Sequence, residues 1–184
     1  MKTSRFYESA RFMVRTLPAV SIEECFALKG GTAINLFVRD LPRLSIDIDL
    51  TYLPIESRDA SLTNISDALN RIADRVKKAN RDATIEKRTL KNTSFVFKLF
   101  IRDGKSETKI EPNLILRGSV APAVTRSLSK KAETLFGAAV DIKTLANADL
   151  YAGKFCAALD RQHPRDIFDM KQFLDDKNAI NADF

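Results

Sequence analysis

Two aspartates, Asp47 and Asp49, flank a single isoleucine in residues 43–50 (RLSIDIDL). Successive side chains of an extended strand point to opposite faces. Ser45, Asp47 and Asp49 therefore share one side, and Leu44, Ile46, Ile48 and Leu50 share the other. The apolar side suits a core. The acidic side holds two carboxylates roughly 7 Å apart along the strand, at a rise of ~3.3 Å per residue. If they converge to ~5 Å they repel by about 3 kcal/mol at an effective dielectric of about 20. Aspartate is also a poor strand former. A divalent cation bridging the pair removes the repulsion, and hard Mg2+ prefers such oxygen ligands. The same pattern also fits a solvated edge strand whose acids face water.

Upstream, Gly30 and Gly31 open an apolar helical stretch. Two glycines at a helix entrance let backbone pass close to a ligand, and the free N–H groups of a first turn favour phosphate. Thr32 adds a hydroxyl. Glycine turn and acidic strand together form one device, the turn taking triphosphate oxygens and the carboxylates taking the metals bound to the same phosphates. Further along, Lys109 and Glu111 share one strand face, where they could simply pair. Lys154 and Arg161 lie seven residues apart on one helix face, with the small Ala157 and Ala158 between them. Asp166 falls in a first helical turn, where the helix dipole favours an acid. Arg165 and Asp169 have the spacing of a helical ion pair. The lone histidine, His163, sits at a helix start and is read as a structural residue there.

The elements expected to position these groups follow from periodicity and turn chemistry. Residues 5–15 read as a helix ending near Pro18, and a second helix follows the glycine pair, with Ala33, Leu36 and Phe37 on its apolar side. A short strand is expected at 44–51. In residues 61–78, Leu62, Ile65, Leu69, Ile72 and Val76 recur at helical steps. Strands are expected at 83–90, 94–102 and 107–116, with Asp103-Gly104 supplying the positive-φ chemistry of a hairpin between the last two. Beyond them the pattern weakens to a loop, a helix near 129–136 and a strand near 138–142. Asn147 reads as the N-cap of a helix over 148–161, and Pro164 as the first turn of a last helix reaching Asp175. The class is α+β: a mixed sheet flanked by helices, with helices at the C-terminal end.

The chain has 184 residues, 45% of them apolar, enough for a real core and against disorder. Its 30 Lys and Arg against 24 acids give a charge of +6. That excess suits a polyanion such as tRNA or a nucleoside triphosphate, and equally a soluble protein with scattered lysines. Cys25 and Cys156 belong to no Cys/His cluster, so a structural zinc site is not expected and the thiols read as small apolar residues in a reducing compartment. No run approaches the ~20 apolar residues of a membrane span, and the N-terminus lacks an apolar signal core. A cytoplasmic protein is expected.

The stretch KGGTAINLFVRDLPRLSIDIDL at 29–50 resembles the signature of DNA-polymerase-β-type nucleotidyltransferases, in the version carried by AbiEii/AbiGii-type toxins. The resemblance extends to TKIEPNLILRG at 108–118 and to DLYAGKFCAALDRQHPRDIFDM at 149–170. It implies a catalytic core over 1–146 and a C-terminal helical segment over 147–184. That segment is shortened, since relatives continue beyond the RDxxD stretch while this chain ends fourteen residues after Met170. The resemblance implies a two-Mg2+ site on Asp47, Asp49 and Glu111, with Gly30, Gly31 and Thr32 on phosphate oxygens. Arg43 and Ser45, just before the aspartates, fit phosphate or nucleotide contacts and equally a solvated loop. It assigns Lys154 to the triphosphate, assisted by Arg161, with Asp166 and Asp169 organising Lys154. The implied activity is nucleotidyl transfer from an NTP to the 3′ end of tRNA, by a toxin whose antitoxin is encoded next to it. Transfer to a protein or small-molecule hydroxyl, or nucleotide binding without turnover, are the alternatives.

Overall fold

The computed structural model describes residues 4–176 of the chain. The last part of the expected C-terminal segment, 177–184, lies outside the described residues. At the centre of the fold is β2 (Asp47–Tyr52), which begins three residues later than expected. Ile48 and Leu50 are 0% exposed while Asp47 and Asp49 are half-buried, as the alternation requires. A slip of one residue would bury both carboxylates, so the register is strongly fixed.

Six further strands complete one mixed sheet: β1 (Phe26–Lys29), β3 (Thr84–Thr89), β4 (Val96–Asp103), β5 (Ser106–Arg117), β6 (Val124–Ser127) and β7 (Asp141–Thr144). Their order is β3-β4-β5-β2-β1-β7-β6, so β2 is the fourth of seven. It runs antiparallel to β1 and parallel to β5. The β4–β5 hairpin turns at Gly104, whose φ is +55°, as the Asp-Gly pair predicts. β1 and β6 have no counterpart among the strands expected from periodicity, and β7 lies a few residues beyond its expected place.

α1 (Arg5–Ser21) and α3 (Arg58–Ala79) cover one face of the sheet. Met13 and Leu17 of α1 and Leu69 and Ile72 of α3 are 0% exposed there, with Leu28, Ile48, Leu99, Ile101 and Ile110 from the strands. Each such side chain contributes about 1.5–3 kcal/mol by burial. α1 does not stop at Pro18 but continues to Ser21. A proline in a last turn removes only one helical hydrogen bond, and buried Leu17 and Val20 hold that turn on the core.

Three helices follow in sequence: α4 (Lys130–Phe136), α5 (Asn147–Arg161) and α6 (Pro164–Leu174). Ala146, not Asn147, occupies the N-cap of α5, because the Asn147 side chain accepts a hydrogen bond from Arg126 instead. His163 is the N-cap of α6, its Nδ1 accepting from the Arg165 N–H at 3.1 Å. The remaining helix, α2 (Gly30–Ala33), runs straight into a π-helical segment, Ile34–Val38. Among the described residues no helix is long and apolar enough to cross a membrane.

Candidate active site

Gly30 occupies the junction of β1 and α2 with φ of +70°, a conformation that L side chains rarely adopt. A Cβ at that position would lie 2.9 Å from Asp49 Oδ2. The glycine turn and the second aspartate therefore occupy one spot, and only the missing side chain allows it. A Cβ on Gly31 would lie 2.7 Å from an Arg43 guanidinium nitrogen and 3.5 Å from Ser45 Oγ. Thr32 is buried; its hydroxyl donates to the Asp47 carbonyl oxygen and lies 2.8 Å from Ser45 Oγ. Five of the expected residues, Gly30, Gly31, Thr32, Arg43 and Ser45, thus pack around the start of β2.

On the open face of the sheet, Lys29 of β1 lies opposite Asp49, and Glu111 of β5 lies opposite it on the other side. Asp47 is beside Lys109. Lys109 Nζ stands 3.2 Å from Glu111 Oε2 and 3.7 Å from Asp47 Oδ2, and Lys98 Nζ of β4 stands 2.6 Å from Glu111 Oε1. Burial works against the Glu111 carboxylate, but hydrogen bonds from Lys98 and Lys109 outweigh it and hold the group below the ordinary glutamate range. Asp49 behaves in the opposite way. Burial pushes its carboxyl up, Lys109 pulls it back, and Asp47 adds to the rise, leaving it above the ordinary aspartate range. Burial likewise lowers the Lys29 ammonium, partly offset by Asp49. Asp47, Asp49 and Glu111 share the face, but among the described residues no group of three acids, histidines or cysteines converges closely enough to hold a metal.

A second cluster lies behind the glycine turn. Lys154 is buried, its ammonium 3.0 Å from Asp166 Oδ1 and 2.9 Å from Asp169 Oδ2. Arg43 grips Asp169 with two guanidinium nitrogens, Nε at 2.7 Å from Oδ1. Arg161, largely exposed, reaches Asp166 Oδ2 at 2.7 Å. Burial opposes both aspartates, yet these hydrogen bonds and charges hold them below the ordinary range. Asn35, from the π-helical segment, joins the two clusters by donating to Gly31 O at 2.9 Å and to Asp169 Oδ1 at 3.1 Å.

A family model described as nucleotidyl transferase AbiEii toxin, type IV toxin–antitoxin system, matches residues 11–184. The chain belongs to the AbiEii family of nucleotidyltransferase toxins. No functionally curated protein matches the chain in sequence. Among solved structures it is similar to MenT4, a nucleotidyltransferase toxin from Mycobacterium tuberculosis H37Rv, at 14% identity and a TM-score of 0.65. That match covers 94% of this chain and 60% of MenT4, and it shows the fold. A weaker likeness, at 12% identity and a TM-score of 0.33, is to terminal uridylyl transferase 4 from Trypanosoma brucei with bound GTP. It covers 56% of this chain and 28% of that one.

Within this AbiEii fold, sequence reasoning missed Asn35, Lys98 and Lys29 as members of the site. Lys29 could have been found from its place directly before the glycine pair. Lys98 lies on a β4 face that alternation alone would have pointed toward Glu111, once the hairpin register was known. Asn35 carries no such signal, since its orientation depends on the π-helical turn.

Proposed function

We propose that the chain transfers a nucleotidyl group from a nucleoside triphosphate to an RNA hydroxyl, the 3′ end of tRNA, as the toxin of a toxin–antitoxin pair. The antitoxin is the product of the adjacent gene. The observation that carries the reading is Gly30 pressed against Asp49, with room for no side chain between them. Phosphate-binding backbone and metal-binding carboxylate are thereby brought to one place. The donors fit Mg2+. Asp49 is a hard oxygen ligand whose charge is under-compensated in its own surroundings.

The reaction is an in-line displacement. The acceptor oxygen forms a bond to the α-phosphorus while the bond to the bridging oxygen breaks and pyrophosphate leaves. Asp47 and Asp49 would hold Mg2+, which when bound would neutralise phosphate charge and help activate the attacking hydroxyl. N–H groups of the Gly30–Gly31 turn take phosphate oxygens, and Thr32 and Ser45 fix that turn to β2. Arg43 stands beside Gly31 and supplies positive charge there. Lys154, held by Asp166 and Asp169, is the residue assigned to the triphosphate charge, with Arg161 steadying Asp166. Drawing Glu111 into a site for two ions requires its release from Lys98 and Lys109.

The test incubates the protein with each labelled NTP, Mg2+ and total tRNA, beside Asp49→Ala. Label should pass to tRNA with the unaltered protein and not with the variant. Label on protein would move the acceptor to a protein hydroxyl, and nucleotide binding without transfer would overturn the enzymatic reading.

A further inference from the structure

The acidic face carries a cation of its own. Parallel pairing of β5 with β2 places Lys109 beside Asp47 and Glu111 beside Asp49 at the level of the backbone, before any side-chain choice. The Lys109 ammonium sits between Asp47 and Glu111, at 3.7 and 3.2 Å. Lys98 takes the other Glu111 oxygen at 2.6 Å. Both oxygens of Glu111 are thus engaged by ammonium groups, whereas among the described residues the Asp49 carboxylate makes no side-chain hydrogen bond or ion pair and feels Lys109 and Lys29 only at longer range.

The three acids therefore divide into two unlike sets. Ions in a two-metal site stand about 3.5–4 Å apart and each needs oxygen ligands at about 2.0–2.1 Å. An ammonium between Asp47 and Glu111 already brings a positive charge to these acids. Its strand fixes the Lys109 backbone beside Asp47, the two carboxylates hold the ammonium, and the side chain is only 32% exposed.

We infer that Asp47 and Asp49 hold a single divalent ion, that Lys109 supplies the site's second positive charge from within the chain, and that Glu111 with Lys98 positions Lys109 instead of ligating metal. This rests on the proposed nucleotidyl transfer, which brings a divalent ion to the Asp47–Asp49 pair. Glu111 is then a positioning residue, and the ion count is a property of β5.

The experiment counts bound Mn2+ by electron paramagnetic resonance on the whole chain, with a non-hydrolysable NTP analogue present. One Mn2+ per chain is expected for the unaltered protein and for Lys109→Arg. Lys109→Met should bind two, with spin–spin broadening between them. Glu111→Gln should still bind one, with an affinity loss of about 10–100-fold at most and smaller than that of Asp49→Asn. Two ions in the unaltered protein would overturn the inference and leave nucleotidyl transfer standing. A loss in Glu111→Gln as large as that in Asp49→Asn would also overturn it. No Mn2+ at all with nucleotide present would overturn both readings. Should Lys109→Met fail to fold, Lys109→Arg and Glu111→Gln decide the matter alone.

Discussion

Asp166 and Asp169 differ from Asp47 and Asp49 in what surrounds them, although each pair lies within four residues of sequence and one site. The first pair is buried and gripped by Lys154, Arg43 and Arg161, and both carboxyls are held below their ordinary range. In the second pair Asp49 is pushed above its ordinary range, chiefly by burial, and its carboxylate makes no side-chain hydrogen bond or ion pair among the described residues. Full internal compensation marks an acid that positions other groups. A half-buried acid left short of positive charge marks a place for a ligand. By that measure the α6 acids are the frame and Asp49 of β2 belongs to the working surface.

The comparison can be broken most directly at Asp49. Asp49→Asn is expected to lower nucleotidyl transfer by about a thousandfold or more, about 4 kcal/mol in barrier, with a melting temperature unchanged or raised. A large fall in melting temperature would place Asp49 in the frame. Asp169→Ala should act in reverse, leaving Lys154 and Arg43 without their shared partner in the interior. A loss of about 3–5 kcal/mol in urea unfolding is expected. Stability within about 1 kcal/mol of the unaltered protein would refute the frame assignment.

Gly30→Ala probes the contact between turn and acid. The positive φ costs about 1–2 kcal/mol, and the new Cβ must push Asp49 aside, so Mn2+ affinity should fall together with stability. Unchanged Mn2+ binding would show that the Asp49 carboxylate acts elsewhere. The pH dependence of Asp49 is opposite in sign to that of Asp166 and Asp169. Asp166 and Asp169 have lowered values, so their stabilisation is fully present above the ordinary aspartate range and is lost as pH falls through the lowered values. Asp49 has a raised value, so its burden on the fold exists above that value and is relieved as pH falls through it. Mild acid should therefore leave the melting temperature intact and stronger acid should lower it; an early fall in mild acid would contradict this. The smallest effect belongs to Arg161, whose side chain is 63% exposed. Arg161→Gln should cost less than about 1 kcal/mol in urea unfolding, and a larger loss would make it part of the frame.

The sequence carried much of this contrast where local periodicity sufficed. The two-residue step placed Asp47 and Asp49 on one face, apolar spacing found α3, the Asp-Gly pair found the β4–β5 hairpin, and cap and proline signals found the C-terminal helices. β1 escaped because four residues, FALK, are too few to show a period, and β6 because VTRS is largely exposed and has no apolar face. Pro18 misled because a last-turn proline resembles a stop. The partners of Lys154 were legible only as a resemblance, since Asp166 and Asp169 reach it through the packing of α6 on α5. The Glu111–Lys109 pair was open from alternation within one strand, whereas the Glu111–Lys98 pair depends on the β4–β5 register, which no local pattern encodes.

The π-helical turn that carries Asn35 sets a constraint on chain length, distinct from any on residue type. Arg39 N–H reaches back five residues to Ile34 O at 2.7 Å, one residue further than in an α-helix. Deleting one residue from Ile34–Val38 would let the segment close as ordinary α-helix, swinging the downstream chain by about 100°. Asn35 could then no longer meet both Gly31 and Asp169 while β2 kept its place. Substitutions along this stretch can be graded by size and polarity, but a change in residue count cannot. Insertions and deletions between the glycine pair and the first aspartate should therefore be far less tolerated than point changes at the same positions.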